Sequence, residues 1–269
     1  MTKPSTLPPD LARRLAAVTC LYLICDYDGT LTPIVSRPSE AKLAFRVKET
    51  LRRLACASRT RVAIVSGRNL RELVRLVGLP KIDYVGNHGL EQRIRCRRRV
   101  DPWAARLVGP VLNLARELRA ALRPIPAAWV ENKIYTLSVH YRRVKTSEVA
   151  KVRRIVERTW SRFSGSSLFR LKKGKKVWEI RPRRGRTDKG KAVRALLKTL
   201  PSTWRKRATV VYLGDDQTDE DAFRVVHRSG IGIRIGAGKR TSAHYRLRSP
   251  AAVLNFLERL AQVRMTGDR

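Results

Sequence analysis

Short apolar runs that end in polar turns and then give way to helical spacing are what most restrict the fold of this chain. The first is Leu21-Tyr22-Leu23-Ile24-Cys25, which runs without a break into Asp26-Tyr27-Asp28-Gly29. Arg61 to Val65 ends in Ser66-Gly67-Arg68, Tyr84-Val85 in Gly86-Asn87-His88-Gly89, and Ala208 to Leu213 in Gly214-Asp215-Asp216. Between them apolar residues recur at helical spacing: Leu43, Val47, Leu51 and Leu54 within 39–57, then Leu70, Leu73, Val74 and Val77. Strand, turn, helix and strand in this rhythm predict a parallel sheet with crossover helices. Helices are also predicted over 7–18, 189–200, 219–228 and 253–263, with Ile231 to Ile235 as the final strand.

The middle of the chain changes character. A helix is predicted over 103–122 and another over 146–161. Lys133 to Tyr141 alternates: Ile134, Thr136, Ser138 and His140 share one face, Tyr135, Leu137, Val139 and Tyr141 the other. That is the pattern of an antiparallel strand. Leu168 to Leu171 and Lys176 to Ile180 read as short strands joined by a turn at Lys172-Lys173-Gly174. The predicted fold is therefore α/β, a Rossmann-like parallel-sheet core with an inserted smaller α/β cap domain. Residues 1–100 and 184–269 make the core, and 101–183 the cap.

In open α/β sheets ligands bind beyond the carboxyl ends of the strands. Asp26-x-Asp28, Ser66, Lys189 at the head of its helix and Asp215-Asp216 are all predicted to fall there. Up to four carboxylates in one place repel each other unless a cation or a proton joins them. Hard oxygen ligands around an octahedral ion suggest Mg²⁺. Such an ion neutralises phosphate oxygens and aids in-line displacement. Lys189 supplies a fixed positive charge, and Ser66 or Thr30 a hydroxyl, for a phosphoryl group. Gly29 lets backbone N–H groups approach the anion. One carboxylate then attacks phosphorus while another passes a proton to the leaving alcohol. Chemistry alone leaves open which of Asp26 and Asp28 does which.

These residues resemble a family. Asp26-Tyr27-Asp28-Gly29-Thr30-Leu31-Thr32-Pro33-Ile34 is similar to the first motif of haloacid dehalogenase-like phosphatases, in the wording of trehalose-6-phosphate phosphatases. Ser66-Gly67-Arg68 resembles the second motif, Asp188-Lys189-Gly190 the third, and Gly214-Asp215-Asp216-Gln217-Thr218-Asp219-Glu220-Asp221-Ala222-Phe223 the fourth. Gly86-Asn87-His88-Gly89-Leu90-Glu91 resembles the family's Gly-x-His-Gly turn, with His88 at the substrate.

The resemblance implies a haloacid dehalogenase-like core and hydrolysis of trehalose 6-phosphate through an aspartyl-phosphate intermediate. Asp26 would be the nucleophile and Asp28 the acid/base. Mg²⁺ would sit on the Asp26 side chain, the Asp28 main-chain carbonyl and Asp215, with Asp216 and Asp219 close by. Ser66, Lys189, Thr30 and Gly67 would surround the phosphoryl group. In the cap, Glu131-Asn132-Lys133, Ser138, His140-Tyr141-Arg142 and Glu179-Ile180-Arg181-Pro182 resemble the family's signatures. They imply glucose binding by Glu131, Lys133 and Glu179, with His140 and Arg142 on the same strand as the first pair. Arg68 and Arg181 either touch the sugar or pair with acids. Another capped phosphatase, acting on a different sugar phosphate, is the alternative. The cap would close over the sugar on hinges near 97–102 and 181–186. The resemblance also implies coupling to a trehalose-6-phosphate synthase.

The charge does not follow from that likeness. Lys and Arg number 59 against 22 Asp and Glu, so 59 − 22 leaves +37. Arg93 to Arg99 reads as a charged hairpin or loop. Such a chain attracts polyanions weakly and without sequence preference. A nucleic-acid binder on the same fold would explain the charge, yet no helix-turn-helix, zinc knuckle or aromatic-rich platform is present in the sequence. Cys20, Cys25, Cys56 and Cys96 form no metal-like spacing, and Cys25 reads as a buried reduced thiol. The run Leu15 to Cys25 leads into an acidic turn rather than a cleavage site, so a cytoplasmic location and no membrane span are expected.

Overall fold

The computed structural model describes residues 8–35, 37–163, 165–174, 176–185, 188–238 and 240–266. The chain divides into two compact units. One holds the residues up to Arg98 together with those from Asp188 onward, and the other holds Arg99–Thr187.

The first unit opens with helix α1 (Pro9–Ala16) and strand β1 (Cys20–Asp26), followed by α2 (Phe45–Cys56), β2 (Thr60–Val65), α3 (Leu70–Val77) and β3 (Asp83–Gly86). Two further strands, β4 (Glu91–Ile94) and β5 (Arg97–Val100), complete this part, and the unit boundary falls within β5. The predicted helix over 39–57 is shorter than its pattern, because Pro38–Glu40 forms a separate 3-10 turn. The arginine-rich stretch is two strands with Arg95 and Cys96 at the turn, both at positive φ.

The second unit contains α4 (Pro102–Ala105), α5 (Val108–Leu122), β6 (Trp129–Asn132), β7 (Leu137–His140), α6 (Val149–Arg162), β8 (Phe169–Gly174) and β9 (Val177–Pro182). The chain then returns to the first unit with α7 (Lys189–Lys198), α8 (Ser202–Arg205), β10 (Ala208–Gly214), α9 (Glu220–Val226), β11 (Gly230–Ile235), β12 (Tyr245–Leu247) and α10 (Pro250–Thr266). Ile231 to Ile235 is thus not the last strand: β12 pairs with β11 in parallel. Residue 7 of the first predicted helix and residue 186 of the second predicted hinge lie outside the described residues.

The sheet of the first unit runs β12-β11-β10-β1-β2-β3-β4-β5. Pairs from β12 to β3 are parallel, and β3–β4 is antiparallel. Every residue of β1 is buried, and the register explains why. Leu21, Leu23 and Cys25 face one layer with Leu51, Leu73 and Leu257 from α2, α3 and α10. Tyr22 and Ile24 face the other with Val193, Leu196 and Phe223 from α7 and α9. Covered on both sides, the strand is apolar throughout rather than alternating.

Where β1 and β2 begin, Arg264 of α10 ties the chain together. Its guanidinium donates to the carbonyls of Val18 at 2.5 Å, Thr19 at 3.2 Å, Ser58 at 3.1 Å and Arg59 at 3.4 Å, and to Thr60 Oγ1 at 3.1 Å. Arg264→Ala is expected to lower stability by roughly 1.5–3 kcal/mol, the range for bonds to a charged group. Urea unfolding checks this; an unchanged midpoint would show that water replaces the side chain.

In the second unit the sheet order is β6-β7-β9-β8, all antiparallel. One face, with Val130, Val139, Leu137, Trp178 and Ile180, packs against α5 and α6 residues such as Leu114, Leu118, Val152 and Val156. Three predictions needed correction here. The strand over Lys133 to Tyr141 is a hairpin instead: β6 ends at Asn132, residues 133–136 turn, and only 137–140 form the second arm. The turn at Lys172-Lys173-Gly174 is in fact the end of β8, since Gly174 pairs with Val177. Among the described residues the insert therefore carries four strands rather than three, and the helix predicted over 103–122 is broken between α4 and α5.

Candidate active site

Parallel register brings the predicted acidic groups to one sheet end. Asp26 is level with Val65, one residue before Ser66, and Cys25 with Leu213, two residues before Asp215. Lys189, in the first turn of α7, reaches back to Asp26 Oδ1 and Asp219 Oδ1, both at 2.7 Å. All three side chains are buried.

Oxygens of Asp26, Asp215 and Asp219 lie within 4.8 Å of one another. They do not play the same part. Asp219 Oδ1 accepts from Lys189 and from the Tyr212 hydroxyl at 2.6 Å, and Oδ2 accepts from the backbone N–H groups of Asp215 at 3.1 Å and Asp216 at 3.0 Å. Four donors fill its four acceptor positions. Asp219 is thus an anchor for the loop and for the lysine, while Asp26 and Asp215 supply the oxygens suited to a hard dication.

The electrostatics follow from burial. Desolvation pushes the Asp26 carboxyl well above the usual carboxylate range; Lys189 opposes this, and Asp219 and Asp215 reinforce it. Burial would lower Lys189, but Asp219 and Asp26 outweigh it and hold the ammonium well above its ordinary value. Burial also acts to raise Asp216, yet the Lys189 charge and the Thr218 hydroxyl and amide bring it down to about 2. Asp216 Oδ1 takes both Thr218 donors at 2.6 Å. Its Oδ1 is turned to Thr218 in the loop, and Asp216 is not one of the three clustered carboxylates.

Asp28 and Arg68 are held to each other. Arg68 is buried and grips Asp28 with two bonds, Nε to Oδ2 at 2.8 Å and Nη2 to Oδ1 at 2.7 Å. It also reaches Glu72 at 2.5 Å and the Pro38 carbonyl at 2.6 Å, and lies over the Tyr27 ring. Its guanidinium pairs with acids, the second of the two roles the sequence left open. The Asp28 carboxylate faces Arg68 and is not one of the three clustered carboxylates.

Ser66 and Thr30 supply the hydroxyls. Thr30 Oγ1 is buried without a hydrogen-bond partner among the described residues, a cost that a bound anion would relieve. Gly29 is also required for the space it leaves to Asp215. Its N–H is spent on the Thr32 carbonyl at 2.8 Å. At φ +84°, a Cβ there would come within 2.4 Å of Asp215 Oδ2. Gly67 is pressed by the His88 ring, which an added Cβ would meet at 2.5 Å. Asn87 and His88 both hold positive φ, at 47° and 57°. The turn is wired to the Ser66 turn by Asn87 N–H to Arg68 O at 2.7 Å and His88 N–H to Ser66 O at 3.0 Å. Strain of this kind gathers at functional sites.

The sequence reading missed Arg234. Buried in β11, it donates to Glu220 Oε1 at 2.7 Å and to the carbonyl of Asp215 at 3.1 Å, and Glu220 Oε2 accepts from Ser242 N–H at 2.8 Å. It fixes the Asp215 loop from behind. The signal was there: one arginine inside an otherwise apolar strand needs a buried partner.

In the second unit the hairpin brings Glu131 and His140 together, with His140 Nε2 at 2.8 Å from Glu131 Oε2 and Lys133 Nζ at 3.7 Å. Register aligns Glu131, Ser138, Glu179 and Lys172 in one row across all four strands. Arg181 pairs with Glu179 on the same face. Arg142 is exposed beyond the end of β7.

The sequence matches the trehalose-phosphatase family over residues 24–251. It is 38% identical over 257 residues to trehalose 6-phosphate phosphatase RA3 of Zea mays, covering 90% of this chain and 70% of that one. It is 35% identical over 272 residues to the probable trehalose-phosphate phosphatase 3 of Oryza sativa subsp. japonica, covering 93% and 71%. In structure it is similar to the C-terminal domain of Candida albicans trehalose-6-phosphate phosphatase, with a TM-score of 0.78 at 22% identity, covering 97% of this chain and 98% of that one. This last likeness speaks for the fold alone.

Proposed function

We infer the reaction from one premise: this chain belongs to the trehalose-phosphatase family. It hydrolyses trehalose 6-phosphate to trehalose and phosphate, the last step of trehalose biosynthesis. The observation that carries the mechanism is the buried Asp26–Lys189–Asp219 chain at the sheet's carboxyl end, with Asp215 beside it.

In the first step an Asp26 carboxylate oxygen attacks phosphorus as the bond to the sugar oxygen breaks. Asp28 gives that oxygen its proton, exchanging its contacts with Arg68 for the leaving group by rotating its side chain. In the second step water attacks phosphorus, Asp28 takes the water's proton, and the bond to Asp26 breaks. Lys189 and the Ser66 and Thr30 hydroxyls hold the phosphoryl oxygens. Glu131, Lys133 and Glu179 hold sugar hydroxyls.

Asp26 and Asp215 fit a Mg²⁺ ion, being two hard oxygen donors whose mutual repulsion it would relieve. When bound, the ion supplies charge neutralisation at the phosphoryl oxygens. Mg²⁺ should therefore raise the melting temperature by mass action. Because burial raises Asp26, the ion competes with a proton there, and the gain should be smaller at a lower pH than at a higher one. Thermal unfolding with Mg²⁺ or chelator at both pH values checks this. An equal shift at each would show that the ion binds elsewhere.

A reducing cytosol suits the four unpaired thiols. A synthase that makes trehalose 6-phosphate would supply the substrate. The direct test is phosphate release from a panel of sugar phosphates with Mg²⁺. Trehalose 6-phosphate is expected to be the best substrate; equal rates across the panel would overturn the specificity and leave a general sugar phosphatase.

A further inference from the structure

We propose that Trp129 and His140 form a stacking platform for a pyranose ring of the substrate. The proposal rests on the reading above, that the substrate is a disaccharide phosphate.

In the second unit, the apolar side chains of the sheet point to the helix-covered face, where Val130, Leu137, Val139, Trp178 and Ile180 are buried. Trp129 does not belong there. It sits on β6 two residues from Glu131, so both side chains project from the opposite, polar face. Trp129 remains 39% exposed. A large indole left half in water on a hydrophilic face is not explained by the core.

Its neighbours are specific. Register places His140 directly across from Trp129, and the two rings stack with centroids 4.1 Å apart and planes 12° from parallel. The bond from His140 Nε2–H to Glu131 Oε2 at 2.8 Å fixes the imidazole, and through the stack the indole. Beside this pair runs the row Glu131–Ser138–Glu179–Lys172, with Lys133 at the hairpin turn. A pyranose presents axial C–H groups on its faces and hydroxyls around its edge. A fixed aromatic ring next to alternating acids, a hydroxyl and amines matches both at once. A protein partner would favour a wider apolar patch than one indole. Trp129 is thus a specificity-determining residue that acts on the sugar and not on the phosphoryl group.

The test compares Trp129→Ala and Trp129→Phe with wild type on trehalose 6-phosphate and on p-nitrophenyl phosphate, which carries no sugar. Trp129→Ala should raise KM for trehalose 6-phosphate by about tenfold and leave kcat/KM for p-nitrophenyl phosphate unchanged, which also reports on folding. Trp129→Phe should keep most of the affinity. Trehalose alone should quench wild-type indole fluorescence, and Trp129→Phe should lose that quench, a readout independent of whether the alanine variant folds. An unchanged KM in Trp129→Ala, or a quench retained in Trp129→Phe, would overturn the platform. Wild type that cleaves p-nitrophenyl phosphate but not trehalose 6-phosphate would instead sink the substrate reading.

Discussion

Asp26→Asn is expected to abolish turnover, with a loss on the order of 10⁴-fold or more, as for other nucleophile removals, while the chain still folds. The amide can keep the contact with Lys189 but cannot attack phosphorus. The stability change has a sign that can be worked out. Burial together with Asp219 and Asp215 raises the folded-state pKa of Asp26 above its unfolded value. Above the unfolded pKa, an ionised Asp26 therefore makes the folded state less stable than a neutral group would. In metal-free buffer near neutral pH the variant should melt at or above the wild-type temperature. Phosphate release and thermal unfolding on the same sample check both parts. Activity within tenfold of wild type would remove Asp26 from the reaction.

The second large effect is Lys189→Met. Lys189 Nζ is buried between Asp26 and Asp219, 2.7 Å from each. Removing it leaves two carboxylates without their cation, a change that costs about 3–5 kcal/mol when a buried pair is broken. Against a total stability of about 5–15 kcal/mol, the variant should unfold at markedly lower denaturant as well as lose activity. Asp219 and Asp26 raise the folded pKa of the lysine, so its stabilising effect is fully present below the unfolded lysine pKa and is lost only as pH rises through the higher folded value. The loss on mutation should thus be flat across the neutral range. Adding Asp219→Asn to the variant should recover part of the stability and none of the activity. A double variant no more stable than Lys189→Met would show that Asp219 does not depend on the lysine.

Much of this was legible in the sequence, for a physical reason. Strands buried on both faces are apolar throughout, so the acidic or glycine turns at their ends stand out, as at Asp26, Ser66 and Asp215. The second unit was harder. Alternation continued through the turn at residues 133–136, where Tyr135 is buried and Ile134 is exposed at positive φ, so two hairpin arms read as one strand. Gly174 drew the next turn too early, because glycine favours turns, although there it sits at the end of β8. Strand β12 has three residues and too little pattern to see. At the site, residue type alone could not separate Asp216 from Asp219. Which carboxylate has its lone pairs filled depends on Tyr212 and on backbone N–H groups that only the fold brings near. For the same reason Arg68 was left open between sugar and acids, and the fold gives it to Asp28, Glu72 and the Pro38 carbonyl.

The central proposition is that phosphorus is bonded to Asp26 during turnover. Mixing wild-type protein, Mg²⁺ and trehalose 6-phosphate, quenching in acid within the first turnovers and mapping peptides by mass spectrometry tests it directly. A phosphoryl group on the peptide containing Asp26, absent from Asp26→Asn, is the predicted result. Phosphate released with no phosphoryl group on the protein, or with one on another residue, would contradict it.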